Sequence, residues 1–288
     1  MSDLQPFSLR IFVVDGDPDG LRVIERSNWI GKALVFPRAL LPKVKSREEF
    51  GQTGVYLLIG PREDGEGEML YIGEGDPVRP RLERHYAEKD FWNRAVFFVA
   101  GPGQLNKAHV QYLESHLLRM ARETKRMPLD NGNKPSPPSL SEADEADMKV
   151  FLDHMVGMLP IIGINALERP KAPRKKQSAL RLHAKGVEAS GVEDNQGFVV
   201  HAGSQAVTET VKSMAEYVRG FYDLRNDLIK NGVLVQKGDI YEFTQDYAFS
   251  SPSAASSVIL GRSSNGRTEW KNASGKTLKE IQEAEASA

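Results

Sequence analysis

Along the first stretch of the chain, Leu9, Ile11 and Val13 alternate with polar or small neighbours, the two-residue period of a half-buried strand. The cluster Asp15, Gly16, Asp17, Pro18, Asp19 and Gly20 then reads as a turn, and Leu21 to Ile24 resume a strand, so residues 8–37 predict a short β module. From Gly54 to about Asn133 the pattern runs strand, turn, strand, helix, strand, helix. Its first two strands, Gly54 to Ile59 and Met69 to Gly73, flank Gly60, Pro61, Asp64, Gly65 and Gly67, a hairpin-turn composition. Pro80 suits a helix start, and a longer helix is expected from about Lys107 to Arg126 on the apolar stripe Val110, Leu113, Leu117 and Leu118. Beyond Pro135, Pro137 and Pro138, Ser141 with Glu142 and Asp144 opens a helix whose Met148, Phe151, Leu152 and Met155 are spaced to pack back on the preceding unit.

The stretch from about 168 to 195 is charged, poor in large apolar residues and broken by prolines, which reads as an inter-domain linker. Order resumes at Gly197. A strand (Phe198 to His201), a long helix (about Val207 to Asn231, closed by Gly232), a strand pair (Val233 to Val235 and Ile240 to Phe243) and a helix entered at Ser251 and Pro252 predict a second small α/β domain. The expected fold class is α+β, with a small mixed sheet flanked by helices. Its divisions are a β module at 1–50, a central domain with trailing helix at 51–167, a basic linker at 168–195 and a C-terminal domain at 196–288.

Composition narrows the class. A chain of 288 residues can bury two modest cores, and 40% hydrophobic with 27% charged residues is the balance of a packed globular protein. No apolar run approaches the ~18 residues of a membrane span, and the start Met1-Ser2-Asp3-Leu4 lacks the order of a secretory signal, so a cytoplasmic protein without a membrane partner is expected. The absence of cysteine excludes disulfides, thiolate zinc sites and cysteine nucleophiles together. A net charge of -1 moves the question of nucleic-acid binding to local clusters. The richest is Arg169, Lys171, Arg174, Lys175, Lys176, Arg181 and Lys185, where a solvated linker is favoured over a phosphate-tracking arm.

Candidate chemistry sits in the central domain. Tyr56 and Tyr71 fall on neighbouring strands, where tyrosine is ordinarily just a good β-former. Arg81 and His85 are one helical turn apart; the first offers a fork of donors that suits a phosphate, the second a proton acceptor near neutrality. Glu114 occupies a slot in the apolar stripe. An ionised carboxylate there needs a neighbour such as Arg81 or a metal ion, unless it lies at the stripe's edge and reaches water, and both alternatives stand. His109 and His116 fall off the stripe and are expected at the surface.

Gly54-Val55-Tyr56 and Tyr71-Ile72-Gly73, followed by Arg81, His85, Glu114 and the Asn of Leu129-Asp130-Asn131, resemble the GIY-YIG nuclease family over residues 52–133, with Val55 in place of Ile. Asn131 is preferred to Asn133 on spacing. The resemblance implies a divalent ion, Mg2+ or Mn2+, held by Glu114 and waters, with Tyr56 taking the proton of the attacking water. A phenol needs nearby cations or His85 to favour its phenolate. Arg81 would stabilise charge on phosphorus, Tyr71 would orient the phosphate or nucleophile, and Asn131 would brace the site. The implied activity is endonucleolytic cleavage of DNA to 5'-phosphate and 3'-hydroxyl ends, with RNA open as a substrate and a homodimer the simplest route to double-strand cutting. A repair nuclease, or a non-catalytic DNA-binding protein on the same scaffold, are the alternatives.

The C-terminal sequence Phe249-Ser250-Ser251-Pro252-Ser253-Ala254-Ala255, Leu260-Gly261-Arg262, Asn265-Gly266, Trp270-Lys271 and Gly275-Lys276-Thr277-Leu278 is similar to a small domain of unknown function appended to restriction-type nucleases. More distantly it resembles modules proposed to sense modified DNA. The similarity, over Gly197 to Ile281, implies a setting in restriction or defence. Trp270 is large enough to anchor a small core, and Arg262, Arg267, Lys271 and Lys276 would form a basic rim that either contacts DNA or only solvates the fold.

Overall fold

Three antiparallel strands, β1 (Leu9–Val13), β2 (Arg22–Arg26) and β3 (Gly31–Pro37), open the chain in the computed structural model, which describes residues 6–62, 67–168, 179–195 and 197–287. A single turn, α1 (Leu41–Val44), leads to β4 (Gly54–Pro61), β5 (Glu68–Gly75), α2 (Val78–Glu88), β6 (Arg94–Ala100), α3 (Lys107–Thr124) and α4 (Glu142–Met158). The strands form one sheet in the order β1-β2-β3-β6-β4-β5. The N-terminal strands are therefore not a module ending at residue 50: β3 pairs with β6 along its whole length. The physical reason is that Ala33, Leu34, Val35 and Phe36 are all buried, on both faces of β3, which only an interior strand can satisfy.

Every pair of named strands in this sheet is antiparallel, and a single parallel bridge joins Leu129 to Leu70 at its edge, so the unit is α+β as expected. Alternation assigns the two faces. Val55, Leu57, Ile59, Ile72, Val96 and Phe98 pack with α3 and α4, while Tyr56, Leu58, Phe97, Leu34 and Phe36 pack with Leu82 of α2 and Trp92. Each such side chain contributes about 1.5–3 kcal/mol when fully buried. The α4 helix starts as expected, with the Ser141 hydroxyl accepting from Asp144 N, and buries Met148, Phe151 and Met155 in the core shared with α3.

The chain divides into two units, Met1–Glu168 and Arg169–Ala288. The second begins with β7 (Leu180–Ala184), β8 (Val187–Asp194), β9 (Gly197–Val200) and β10 (Gln205–Val207), followed by α5 (Lys212–Tyr217) and α6 (Arg219–Lys230). β11 (Leu234–Lys237), β12 (Ile240–Phe243), β13 (Tyr247–Phe249), α7 (Pro252–Leu260), α8 (Gly266–Glu269) and α9 (Leu278–Ala286) complete it. Its sheets, β13-β9-β8-β7 and β10-β12-β11, are antiparallel throughout, so this unit too is α+β and not α/β.

Two expectations are corrected here. The linker does not extend to 195, because Leu180, Leu182, Val187 and Ala189 alternate into the core while Arg181, His183 and Glu188 face outward. Those outward charges gave two strands the composition of a linker. Arg169, Lys171, Arg174, Lys175 and Lys176 lie outside the described residues. The long helix from Val207 is instead β10, α5 and α6, with the helical path broken at Val218 (φ -136°, ψ 48°). Among the described residues, no helix is long and apolar enough to cross a membrane.

Candidate active site at the edge of the larger sheet

β5 is the outermost strand beside β4, and the candidate residues gather around it. Tyr56 on β4 is paired with Gly73 on β5. A Cβ at Gly73 would lie 2.4 Å from the Tyr56 hydroxyl oxygen and 2.5 Å from its Cζ, so only glycine lets this ring cross beneath the strand. Tyr56 is 1% exposed, and its hydroxyl meets His85 Nε2 at 2.9 Å. The Tyr71 ring lies 6.2 Å from that of Tyr56 and 4.7 Å from that of His85. Lys89 Nζ sits 4.9 Å above Tyr71 and pairs with Asp130 at 2.5 Å.

Burial dominates the electrostatics. It holds the Tyr56 hydroxyl far above the usual phenol range, with the neighbouring Tyr71 adding to the effect, and raises Tyr71 as well. It pushes His85 down to about 4, helped by Arg84, Lys89 and Arg81, so the imidazole is neutral near pH 7. A neutral ring has one acceptor nitrogen, and Nε2 is placed to receive the Tyr56 proton. The expectation of a phenolate favoured by its surroundings is thus corrected, since desolvation outweighs Arg81 at Tyr56.

Arg81, half-buried on α2, lies near enough to act electrostatically on Tyr56, His85 and Glu114. Glu114 is half-buried on α3, between the two alternatives left by its sequence position. Burial first, and then Glu74, push its carboxyl up to about 7 against the pull of Lys107 and Arg81. Among the described residues, its side chain has no hydrogen bond and no ion pair. Glu74 itself, buried on β5, is held by Lys107 Nζ at 2.5 and 2.7 Å. Lys107 and Glu114 are two helical turns apart, on one face of α3. Glu74 and Lys107 were missed by sequence reasoning, although Leu70, Ile72 and Glu74 share the inward parity that would have marked the carboxylate.

Asn131 is engaged with the main chain of β5. Its side chain accepts from Ile72 N at 2.9 Å and donates to Ile72 O at 2.8 Å, while Leu70 N bonds Pro128 O and Asp130 N bonds Leu70 O, each at 2.9 Å. The segment thus zips onto the outer edge of β5. Asn133 contributes its main-chain oxygen to Arg122. His109 belongs to the capping box of α3, and His116 stacks on Tyr112 at 4.0 Å; both are half-buried, not surface residues.

Among the described residues no group of three or more His, Asp or Glu is arranged for a metal. A cation would rest on Glu114, whose unpartnered and destabilised carboxylate fits a hard divalent ion that keeps most of its waters.

In the second unit the expected basic rim is only partly free. Arg262 pairs with Glu269 at 2.7 Å and Arg267 Nε donates to Gln282 at 2.8 Å, while Lys271 and Lys276 form no ion pair among the described residues but both act electrostatically on Glu280. Trp270 is fully buried, donates to Pro252 O at 3.1 Å and lies 4.5 Å from the Phe198 ring, so it anchors the core.

Residues 180–282 match a domain of unknown function (DUF4357), a span that starts at the first residue of β7. No curated protein and no solved structure matches the chain.

Proposed function

We propose that the first unit carries a GIY-YIG-type nuclease domain that hydrolyses DNA phosphodiester bonds with Mg2+ or Mn2+, leaving 5'-phosphate and 3'-hydroxyl ends. The observation that carries this reading is Glu114, an unpartnered carboxylate pushed up to about 7 beside Arg81 and the Tyr56–His85 couple. Such a perturbed cluster is the signature of a reactive site more often than of a structural one. Bound at Glu114, the cation would supply positive charge to the phosphate and to the departing 3'-oxygen.

The protein's own residues do the rest. The Arg81 guanidinium is available to fork onto a phosphate as charge develops on phosphorus. The attacking water gives its proton to the Tyr56 oxygen while Tyr56 passes its own to His85 Nε2, so that no phenolate has to form in a buried position, and the departing 3'-oxygen takes its proton from a second, solvent water. The neutral imidazole is the acceptor that this relay needs. Tyr71, under the Lys89 ammonium, orients the water or the phosphate, and Asn131 holds β5 in register.

A second reading, a DNA-binding scaffold without catalysis, is favoured by one observation: Tyr56 is 1% exposed, so a water must reach it through motion at the strand edge. One assay separates the two. Wild type, Glu114→Ala, Tyr56→Phe and His85→Gln are incubated with plasmid, linear duplex, single-stranded DNA and RNA in Mg2+ or Mn2+. Cleavage by wild type, lost with Glu114→Ala and reduced about 100-fold or more in the relay variants, is expected. Equal inertness of wild type and Glu114→Ala on every substrate would sink the nuclease reading. A role in restriction or defence, a cytoplasmic setting and a homodimer for double-strand cutting belong to the same proposal; the first rests on the similarity of the C-terminal sequence to domains appended to restriction-type nucleases.

A further inference from the structure

Four polar residues from neighbouring segments stand in one row across the outer face of the second unit's four-stranded sheet. Arg181 on β7 is directly opposite Ser190 on β8. His201 N donates to Ser190 O at 2.9 Å, one step beyond the pair Gly191 and Val200, so His201 continues the row past β9. On the other side of β7, Arg181 and Lys271 form an antiparallel bridge, each N–H donating to the other's carbonyl at 2.7 and 2.9 Å. Directly opposite residues in antiparallel pairs project to the same face. The 3.3 Å contact between Ser190 Oγ and His201 Nδ1 is that relation realised between side chains.

Three observations make the row more than a solvated surface. First, Arg181 and Lys271 are like charges held opposite one another, an arrangement that disfavours the fold unless an anion lies between them. Among the described residues neither forms an ion pair with a carboxylate, and Lys271 acts on Glu280 only through space. Second, two members of the row, Arg181 and Ser190, line a mainly polar cavity of about 400 Å³ together with His183, Ser204 and Gln205. Its one acidic lining residue, Glu188, is engaged with His183 at 3.4 Å. Third, His201 Nε2 is buried without a hydrogen-bond partner, although Ser190 fixes the other ring nitrogen. A buried imidazole nitrogen left open can be satisfied by a water or by a ligand that reaches the end of the row, although His201 itself is not among the residues lining the cavity.

We infer that this groove binds a phosphate-bearing nucleotide unit, with the phosphate at Arg181, on the side where Lys271 flanks the groove, and its sugar oxygens toward Ser190 and Ser204. A bare phosphate would leave most of the cavity unfilled, whereas the volume suits a nucleotide. No Phe, Tyr or Trp lines it, so recognition runs through phosphate and hydroxyl groups and not through base stacking. The inference rests on the nucleic-acid reading of the protein but not on catalysis, because the groove lies in the unit that lacks Glu114.

The test uses the full-length chain carrying Glu114→Gln, so that no strand is cut during measurement. Fluorescence anisotropy with labelled single-stranded and duplex DNA, and calorimetry with AMP, are compared between that background and the same chain with Arg181→Gln and Lys271→Gln. Both substituted side chains lie outside the core, and a melting curve checks that the fold is kept. At least a tenfold loss of DNA affinity, with the slope of log affinity against log salt shallower by about one to two, is expected for a strand ligand. The same loss for AMP alone identifies a free nucleotide as the source. Lys237→Gln, whose ammonium is already paired with Glu242 on the neighbouring strand, serves as the control and should change affinity less than twofold. Unchanged binding in the double variant, or no binding of either probe to the parent chain, overturns the groove assignment. Cleavage by the chain with Glu114 intact is assayed separately, so a failed groove and a failed nuclease reading are told apart.

Discussion

Glu114 sets a measurable link between pH, stability and cation binding. In an unfolded chain its carboxyl would ionise near 4.5, and in the fold burial and Glu74 push it up to about 7. The neutral form is therefore favoured by folding: this contribution is fully present below about 4.5 and is lost as pH rises through about 7. The shift corresponds to at most about 3 kcal/mol for this half-buried group. Metal-free Glu114→Gln is thus expected to melt several degrees above wild type at pH 8 and to match it near pH 4.5, and added Mg2+ should close the gap at pH 8 by stabilising wild type alone. Differential scanning fluorimetry reads all three, and a variant that melts below wild type at pH 8 would contradict the account. Five of the six candidate positions stand on the elements that spacing implies, Tyr56 on β4, Tyr71 on β5, Arg81 and His85 on α2 and Glu114 on α3, while Asn131 lies in a segment beside β5. What sequence could not supply was environment: that Tyr56 and His85 are buried against each other, and that Glu74 faces Glu114 while tied to Lys107.

At the scale of elements, the site depends on how closely β4 and β5 approach their cover. Gly73 leaves room for the Tyr56 ring, and Asn131 locks the opposite edge of β5 through both main-chain groups of Ile72. Gly73→Ala should displace the ring and cost about 1–3 kcal/mol by overpacking. Asn131→Ala should cost a similar amount by leaving the Ile72 groups unpaired. Urea unfolding measures both, and the double variant should depart from the sum of the two losses, because Gly73 and the Ile72 groups held by Asn131 are adjacent on one strand. A Gly73→Ala variant with unchanged stability and unchanged cleavage would mean that the ring has another place to go. The hairpin of β4 and β5 was readable from its strands and turn residues, α3 and α4 from apolar spacing with the Ser141 cap, and α2 from Pro80, two residues past its actual start at Val78. β7 and β8 were not, because Arg181, His183 and Glu188 on the outward face outweighed four inward apolar residues in a reading by composition. The break at Val218 was also hidden, since both sides of it carry helix-forming sequence.

For the whole molecule the consequence lies in where the second unit begins. The expected boundary at 196 would discard β7 and β8, taking Leu180, Leu182, Val187 and Ala189 from the core that surrounds Trp270 and removing the bridge from Arg181 to Lys271. A fragment of residues 179–288 is expected to unfold cooperatively in urea, whereas residues 196–288 should show no cooperative transition; a folded shorter fragment would place the strands outside the folding unit. That two cores exist was evident from chain length and patterning. That the first extends back to β1 was not, because three short strands read as a module until β3 is seen paired with β6.

The clasp between Asn131 and Ile72 also bears on how the protein ages. Asn131 is followed by Gly132, the dipeptide most open to spontaneous deamidation, in which the side-chain carbonyl carbon is attacked by the next backbone nitrogen. While both amide atoms are held on Ile72, the side chain is turned from that attack. Once the clasp opens, deamidation would replace a donor with a carboxylate oxygen facing the Ile72 carbonyl, and the edge strand could not close again in the same way. The chemical lifetime of this side chain is thereby tied to the opening frequency of one strand edge.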